Sequence, residues 1–243
     1  MDQEILTQRY TAAEIEQKTQ AIYDQIVQDS SSIDQGNFNR IGVDDLAQLF
    51  WLYDRHFFED FFRARCMERL SFRLSQRMTR AGGKTTYYKT DRTYSIALST
   101  ELIFKTFGPV EREVVVTGRV CKDRLEATMR IVEHEMIHLL EFLLFDDSSC
   151  KQPQFRQLAG NVFGHTGFTH DLVSGVEQAQ KVYNIKPGDA VSFAFEGQRH
   201  EGIVHRITKR ATVLVPDDKG GLRDRQGKRY RKYYVPVQWL KAR

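Results

Sequence analysis

Two histidines and a glutamate near the middle of the chain could bind and use a metal ion. Residues 133–138 read EHEMIH, which matches the H-E-x-x-H pattern. Residues four apart lie one turn apart on the same face of a helix, so His134 and His138 can both reach a single Zn²⁺. Glu135 is placed to take a proton from a zinc-bound water. The spacing predicts a zinc site with two histidine ligands and Glu135 as the catalytic base.

The segment around this motif predicts one buried helix from about Asp123 to Phe145. Its apolar residues recur at helical spacing, and His134, Glu135, His138 and Glu141 interrupt them. Burying several ionisable groups without partners is costly, which favours a metal site over a chance match. Glu141, one turn beyond the second histidine, could support a ligand imidazole or could be a solvated charge.

A catalytic zinc site needs a third protein ligand and keeps one position open for water. The metzincin pattern places a third histidine six residues after the second, but that position holds Leu144. His165 and His170 are the histidines that follow within the same predicted domain, and Glu177 is a carboxylate alternative. The residues alone leave these candidates open.

The elements that position the motif predict helices packed on a small, mostly antiparallel sheet, an α+β fold. A capping-box pattern at Thr11 and Glu14 begins a helix that extends to about Gln28. Helical spacing also predicts helices at about 43–62, at 155–162 and in a segment ending near Tyr183. Alternation predicts strands at 70–75, 85–88 and 93–99, whereas 112–119 could be a strand or a loop.

The segment Lys186-Pro187-Gly188-Asp189 predicts a domain boundary. Short β-rich runs separated by Gly and Asp turns follow it, which is typical of a small SH3-like barrel over residues 186–243. The remaining chain then divides into an N-terminal helical extension, residues 1–42, and a main domain, residues 43–185.

The predicted barrel is the basic part of the protein. Residues 186–243 contain 14 Lys and Arg against six Asp and Glu, a net charge of +8, whereas the whole chain carries +4. Cations alternating with Tyr230, Tyr233 and Tyr234 are typical of single-stranded nucleic-acid binding, although a solvated face or a peptide-binding barrel is also compatible. The cations expected to contact DNA are Arg223, Arg225, Lys228, Arg229, Arg231 and Lys232.

Composition indicates whether the protein crosses a membrane, is secreted or contains disulfides. No apolar run approaches the ~18 residues of a membrane span, and the polar N-terminus does not resemble a secretory signal. Cys66, Cys121 and Cys150 are odd in number and far apart, so no disulfide framework is expected and the reducing cytoplasm is favoured. One of these thiols could still be a metal ligand.

Four segments of the chain occur in the order of a known family: 52–58 (LYDRHFF), 75–83 (SQRMTRAGG), 94–99 (YSIALS) and 134–138 (HEMIH). They resemble the SprT-like/Spartan family of zinc metalloproteases, over roughly Val43 to Tyr183. The resemblance implies a zincin-like domain in which the third zinc ligand is a histidine of a Gly-His-Gly-like motif. The matching residue is His165, with His170 second; Thr166 replaces the second glycine, and the family's usual zinc-ribbon cysteines are absent.

The site and the resemblance together predict a zinc-dependent endopeptidase that acts on DNA-associated proteins. Strand 93–99 is expected to be the edge along which a peptide substrate pairs, although an interior strand is equally compatible. The alternative is a non-catalytic zinc-containing module that binds nucleic acid or protein. Structural zinc sites are closed by four ligands, mostly cysteines, so the histidines and Glu135 favour the enzyme.

Overall fold

A computed structural model describes residues 2–243 and divides the chain into two compact units. The first comprises the residues up to Phe107 together with Arg112–Leu172, and the second comprises Gly108–Glu111 and Val173–Arg243. The boundary predicted at residue 186 therefore lies inside the second unit. The reason is that Ala179 and Ile185, which precede it, belong to the hydrophobic core of the second unit.

The N-terminal helices belong to the first unit rather than forming a separate extension. They are α1 (Asp2–Thr7) and α2 (Ala12–Asp29). The predicted capping box is present, since Thr11 and Glu14 each accept a hydrogen bond from the other's backbone N–H. The apolar face of α2 is buried in the same core as the helix that carries the H-E-x-x-H motif, described below.

The helix predicted over 43–62 is two helices, α3 (Val43–Phe58) and α4 (Phe61–Cys66). Glu59 and Asp60 both adopt left-handed backbone conformations, with φ of 53° and 60°, which ends the first helix. Asp54 then accepts hydrogen bonds from the first backbone amides of α4, at 2.9 Å from Phe62 and 2.8 Å from Arg63. Helical spacing alone does not reveal such a break.

The first sheet contains β1 (Leu70–Ser75), β2 (Gly83–Tyr88) and β3 (Thr93–Ser99), and the short helix α5 (Thr100–Lys105) follows it. The strand order is β1-β3-β2, with β1 parallel and β2 antiparallel to β3. The expectation that strand 93–99 is an edge is wrong, because β3 has a partner on both sides. β2 is the edge strand that packs against the helix that carries the H-E-x-x-H motif.

The helix that carries the motif is α6 (Arg124–Phe145). Asp123 caps it by accepting from the backbone amide of Glu126 at 2.9 Å. The hairpin β4 (Val114–Val116) and β5 (Arg119–Cys121) precedes α6. Helix α7 (Pro153–Phe163) and strand β6 (His170–Asp171) follow it, and β6 pairs antiparallel with β4.

The second unit contains α8 (Gly175–Tyr183) and one antiparallel sheet of six strands in the order β10-β11-β9-β8-β7-β12. The predicted barrel is not closed, because the short outer strands β10 and β12 do not pair with each other. The strands are β7 (Ala190–Phe195), β8 (Gln198–Ile207), β9 (Ala211–Pro216), β10 (Leu222–Arg223), β11 (Arg229–Val235) and β12 (Lys241–Ala242).

Among the described residues, none of the helices has the length and apolar character needed to cross a membrane.

Candidate metal centre

His134 and His138 face each other on successive turns of α6. Their Nε2 atoms are 3.2 Å apart and their ring centroids are 4.8 Å apart. His134 is only 4% exposed, and the ring of Phe155 packs against both imidazoles. Two ring nitrogens directed at the same point are arranged as a pair of ligands for one ion.

His138 is oriented by a short hydrogen-bond chain. Ser148 Oγ lies 2.6 Å from His138 Nδ1 and donates to Glu141 Oε2 at 2.6 Å. Because the hydroxyl proton is directed at the carboxylate, the hydroxyl accepts from His138 Nδ1–H. This fixes the tautomer in which the Nε2 lone pair of His138 is free for a metal. Glu141 therefore supports a candidate ligand through Ser148.

His170 lies beside the first pair. Pairing of β6 with β4 places His170 opposite Val116, and its ring centroid is 4.6 Å from that of His134. Its Nε2 atom is buried and has no hydrogen-bond partner among the described residues. A buried, unpaired ring nitrogen is costly unless something binds it, so His170 is a candidate third ligand.

His165, the predicted third ligand, has one ring nitrogen engaged by a buried carboxylate and the other, Nδ1, buried without a partner among the described residues. Its Nε2 atom lies 2.7 Å from Glu133 Oε2, and both side chains are almost completely buried. Glu133 also accepts hydrogen bonds from Tyr53 at 2.7 Å and from Arg130 at 2.8 Å. The ring predicted as the third ligand therefore belongs to a buried network beside the metal ligands.

The loop that carries His165 is held by the β4–β5 hairpin. Thr166 Oγ1 donates to the carbonyl of Gly118 at 2.9 Å, and the backbone amides of Thr166 and Gly167 both donate to Thr117. Gly118 has a φ of 80°, and a Cβ there would lie 2.2 Å from Thr166 Oγ1. This loop turns His165 into the core and leads the chain on to His170. Glu177, the carboxylate alternative, forms an ion pair with Lys181 on α8.

Glu135 is buried beside the two histidines, with 2% of its surface exposed. Thr85 Oγ1 donates to its carboxylate Oε2 at 2.8 Å. Burial raises the pKa of this carboxyl to about 7, and the Thr85 hydrogen bonds only partly oppose that rise. A carboxyl with a pKa near neutral is suited to accept and return a proton.

Two glycines allow β2 to approach α6 closely. A Cβ on Gly83 would lie 2.5 Å from Glu135 Oε1, and a Cβ on Gly82 would lie 2.9 Å from Ile131 and 3.0 Å from His170 Nδ1. Any larger residue at either position would displace an active-site side chain or the strand. The Gly82-Gly83 pair is therefore required by the packing of the site.

These side chains line an open cleft of about 550 Å³. Its lining combines the imidazoles and the base with cationic, aromatic and thiol side chains. The other lining residues that matter here are Arg80, Lys84, Thr85, Phe142, Cys150 and Phe168.

The site fits a zinc ion. The ligand atoms of His134, His138 and Cys150 all lie within 4.8 Å of one another, and His170 adds a buried nitrogen without a partner. Burial lowers the pKa of His138 and of His170 to about 4 each, so both are neutral at physiological pH. Neutral imidazoles, with or without a thiolate, are the donors that zinc prefers.

Sequence reasoning predicted the H-E-x-x-H residues but not Ser148, Thr85 or the Glu133 network. Ser148 lies in a loop and Thr85 on a separate strand, so no spacing rule connects them to the motif. The sequence did contain a signal for Glu133. If α6 is buried on all sides, the acidic residue directly before the motif is buried too, and a buried carboxylate needs partners.

Within the second unit the predicted nucleic-acid residues differ in their surroundings. Tyr234 is 59% exposed, whereas Tyr233 packs its ring against Phe193, 5.3 Å between centroids, and against His200. Arg231 forms an ion pair of 2.7 Å with Asp217. Arg223, Arg225, Lys228 and Lys232 are exposed, and Arg229 is half-buried.

The comparison with known families agrees with the geometry of the first unit. No curated protein matches this chain. The model of the SprT-like family matches residues 46–173. This range includes most of α3, the first sheet and α6. It also includes the candidate ligands and the candidate base of the metal cleft, which are His134, Glu135, His138, Cys150 and His170. This family is associated with metallopeptidase activity. Because the match covers more than half of the sequence, the chain belongs to the SprT-like family.

Proposed function

We propose that this protein is a zinc-dependent endopeptidase in which His134, His138 and His170 hold the metal and Glu135 moves the proton. The observation that carries the proposal is the convergence of the His134 and His138 imidazoles, with the His170 ring against His134, beside a buried carboxyl. Bound zinc would supply Lewis acidity, which lowers the pKa of a water ligand and polarises a carbonyl group.

Glu135 performs the acid–base part of the reaction. Its carboxylate accepts a proton from the attacking water and returns it to the leaving amine. Thr85 keeps the carboxylate oriented through the 2.8 Å hydrogen bond to Oε2. Gly83 leaves room for Oε1. A pKa of about 7 makes both the uptake and the release of this proton accessible near neutral pH.

The support for His170 over His165 is the contact between the His170 and His134 rings, whose centroids are 4.6 Å apart. His165 Nε2 is already engaged by a buried carboxylate at 2.7 Å. His170 Nε2 has no partner in the part of the chain that the structure describes, and its ring contacts His134. His165 Nδ1 is also buried without a partner among the described residues, so the hydrogen bond to Glu133 does not by itself exclude His165, and the ring contact favours His170.

A peptide substrate would bind along β2. This strand pairs with β3 on one side and with no described strand on the other, and Lys84 and Thr85 face the cleft. Backbone pairing with a free strand edge holds a substrate in an extended form without demanding a particular sequence. The scissile carbonyl would then lie over His134 and His138.

The test combines metal analysis with Glu135→Gln. We expect one zinc per chain in the unaltered protein and in the variant, and cleavage of an unfolded protein substrate only in the former. Cleavage by the zinc-loaded variant at the unaltered rate would exclude Glu135 as the base. A protein with zinc bound and no cleavage of any substrate would favour the non-catalytic binding module.

We further propose that the substrates are DNA-associated proteins, recruited through the second unit. The support is the net charge of +8 over residues 186–243 and an exposed aromatic ring, Tyr234, that follows the exposed cation Lys232. Cations bind phosphates, and exposed rings stack on unpaired bases. Arg231 contributes less to this surface, since Asp217 neutralises it.

A further inference from the structure

We infer that Cys150 is a displaceable fourth ligand of the zinc ion, so that the resting enzyme is closed to water until the thiol leaves. This inference rests on the proposed function, because it concerns the same metal. It adds a regulatory state that the three histidines and Glu135 do not provide.

The first support is distance. Cys150 Sγ lies within 4.8 Å of one ring nitrogen of His134 and one of His138, a separation at which the three could hold one ion. The Nε2 atoms of these two rings are directed at each other at 3.2 Å, and His170 Nε2 is buried without a partner among the described residues. Three donors thus lie within reach of one ion, with the His170 ring against His134, and a tetrahedral zinc site takes four ligands.

The second support is the loop that presents the thiol. Asp146 ends α6 in a left-handed conformation, and the chain then folds back over the helix. Glu141 holds this loop by accepting from Ser148 Oγ at 2.6 Å and from the backbone amide of Ser149 at 3.3 Å. Ser148 in turn contacts His138. The position of Cys150 is therefore set by the same contacts that orient a metal ligand.

Coordination would deprotonate Cys150, with the proton released to solvent and the sulfur lone pair bound to the metal. The thiolate would then occupy the position that hydrolysis requires for water. Three neutral imidazoles leave the full charge of the ion uncompensated, so an anionic fourth ligand is electrostatically favoured. The closed state is consequently stable but inactive.

The thiol can also leave. Cys150 is half-buried and lies in a loop, whereas Cys66 and Cys121 are 2% and 3% exposed. Displacing Cys150 requires movement of a loop that is held by Glu141 and by the packing of Cys150 against the core. A substrate bound in the cleft or a reagent that modifies the thiol could therefore open the site without unfolding α6.

Cobalt substitution tests the inference without relying on activity. We expect the Co²⁺-loaded full chain to show the near-ultraviolet charge-transfer band of a thiolate ligand, and Cys150→Ser to bind Co²⁺ without that band. Ser149→Ala, a change in the same loop that removes no proposed ligand, should keep the band. Co²⁺ bound in the unaltered protein with no thiolate band would overturn the inference and leave the three-histidine site intact.

Two further readouts separate this inference from the proposed function. Cys150→Ser should weaken zinc affinity by at least about tenfold. Loss of a residue that only hydrogen-bonds to a ligand already costs about 10–100-fold, and loss of a ligand should cost no less. With zinc in excess, it should raise cleavage severalfold, because water gains the fourth position. Unchanged affinity would contradict the role of Cys150. A chain that binds neither metal would instead overturn the proposed function along with it.

Discussion

His165 Nε2 lies 2.7 Å from Glu133 Oε2, in a part of the protein closed to solvent. Burial raises the pKa of Glu133, but the adjacent Arg130 and the hydrogen bonds from His165 and Tyr53 outweigh it and leave the pKa below its usual value. Glu133 immediately precedes the ligand His134. The buried network therefore fixes the rotation of α6 that aims both ligands at one point.

His165→Ala should destabilise the fold while leaving zinc binding in place. The substitution leaves a cavity and removes one of three hydrogen bonds to a buried carboxylate, so we expect a loss of about 3 kcal/mol in the free energy of unfolding. Denaturant unfolding of the metal-free protein measures this loss, and metal analysis of the folded variant should still give one zinc per chain.

His170→Ala is the matched variant for this comparison. It removes a ring nitrogen that has no partner within the described residues, so its effect on the metal-free fold should be smaller and its zinc affinity should collapse. If His165→Ala lost the zinc and His170→Ala kept it, the assignment of the third ligand would be reversed.

Gly83→Ala should impair catalysis more than folding. The new methyl group would lie 2.5 Å from Glu135 Oε1, so the carboxylate must move away from its position beside the histidines. We expect a stability loss of about 1–3 kcal/mol, as for overpacked sites, together with a fall in kcat at retained zinc content.

Gly160→Ala is its control. Gly160 lies in α7, and a Cβ there would make only ordinary contact, 3.5 Å from the carbonyl oxygen of His165. Alanine at a helix interior should stabilise the protein by about 0.5–1 kcal/mol and leave kcat unchanged. Equal kcat values for both variants would show that Glu135 tolerates a side chain at position 83.

The local periodicities of the sequence predicted the element types in the first unit well, because they report which face of an element is buried. The strand at 93–99 and the helix at 123–145 agree with the structure to within one residue. The role of the strand was not predictable in the same way. Whether β3 is central or at an edge depends on pairing between distant segments, which no local pattern encodes.

The third ligand shows the same limit at the level of the site. His165 and His170 are five residues apart and equally polar, so the sequence does not distinguish them. The structure separates them through tertiary contacts: Glu133 engages His165, and pairing with β4 places His170. The family pattern directed the expectation to His165, although Thr166 replaces the second glycine of that pattern here.

The metal-free protein should show a pH dependence that Glu135→Gln removes. Burial raises the pKa of Glu135 from 4.5 to about 7, so its contribution to stability is fully present below pH 4.5 and is lost as the pH rises through about 7. The shift corresponds to about 3 kcal/mol. The unfolding free energy of the variant minus that of the unaltered chain should therefore increase with pH across this window.

Chemical unfolding at a series of pH values, with a chelator present, measures this difference. His138, whose pKa is lowered to about 4, acts in the opposite sense: its contribution is present above pH 6.5 and is lost as the pH falls through about 4. Because His138 is present in both proteins, its effect cancels. A difference that stays constant from pH 4.5 to pH 7 would refute the raised pKa.

Substitutions in the second unit should weaken binding of single-stranded DNA without affecting cleavage of a free protein substrate. Lys232→Ala should reduce the slope of log affinity against log salt concentration by about 0.7, the value expected for one lost phosphate contact. Tyr234→Ala should weaken binding by about 1–3 kcal/mol and leave this slope unchanged, since stacking involves no counterion.

Tyr183→Ala provides the control. Tyr183 is an exposed aromatic residue, 41% exposed, but it lies on α8 and not on β11, which carries Lys232 and Tyr234. It should change neither the affinity nor the salt slope, as measured by fluorescence anisotropy with a labelled oligonucleotide. If all three variants bound DNA like the unaltered protein, the aromatic and basic surface of β11 would not be the DNA-binding site.

Ser148→Ala tests whether the hydrogen-bond chain from Glu141 controls the metal. Without the hydroxyl, His138 Nδ1–H loses its acceptor, and the imidazole can rotate or change tautomer. Loss of such a partner typically costs 10–100-fold in metal affinity, so we expect zinc affinity to fall by about that factor. Competition with a chromogenic chelator measures it.

Two further variants make this result specific. Ser149→Ala alters the neighbouring side chain but keeps the backbone amide that donates to Glu141, so its zinc affinity should remain unchanged. Ser148→Thr keeps a hydroxyl and should restore most of the lost affinity. Equal affinities for Ser148→Ala and Ser149→Ala would mean that His138 is held by its packing against His134 and Phe155 alone.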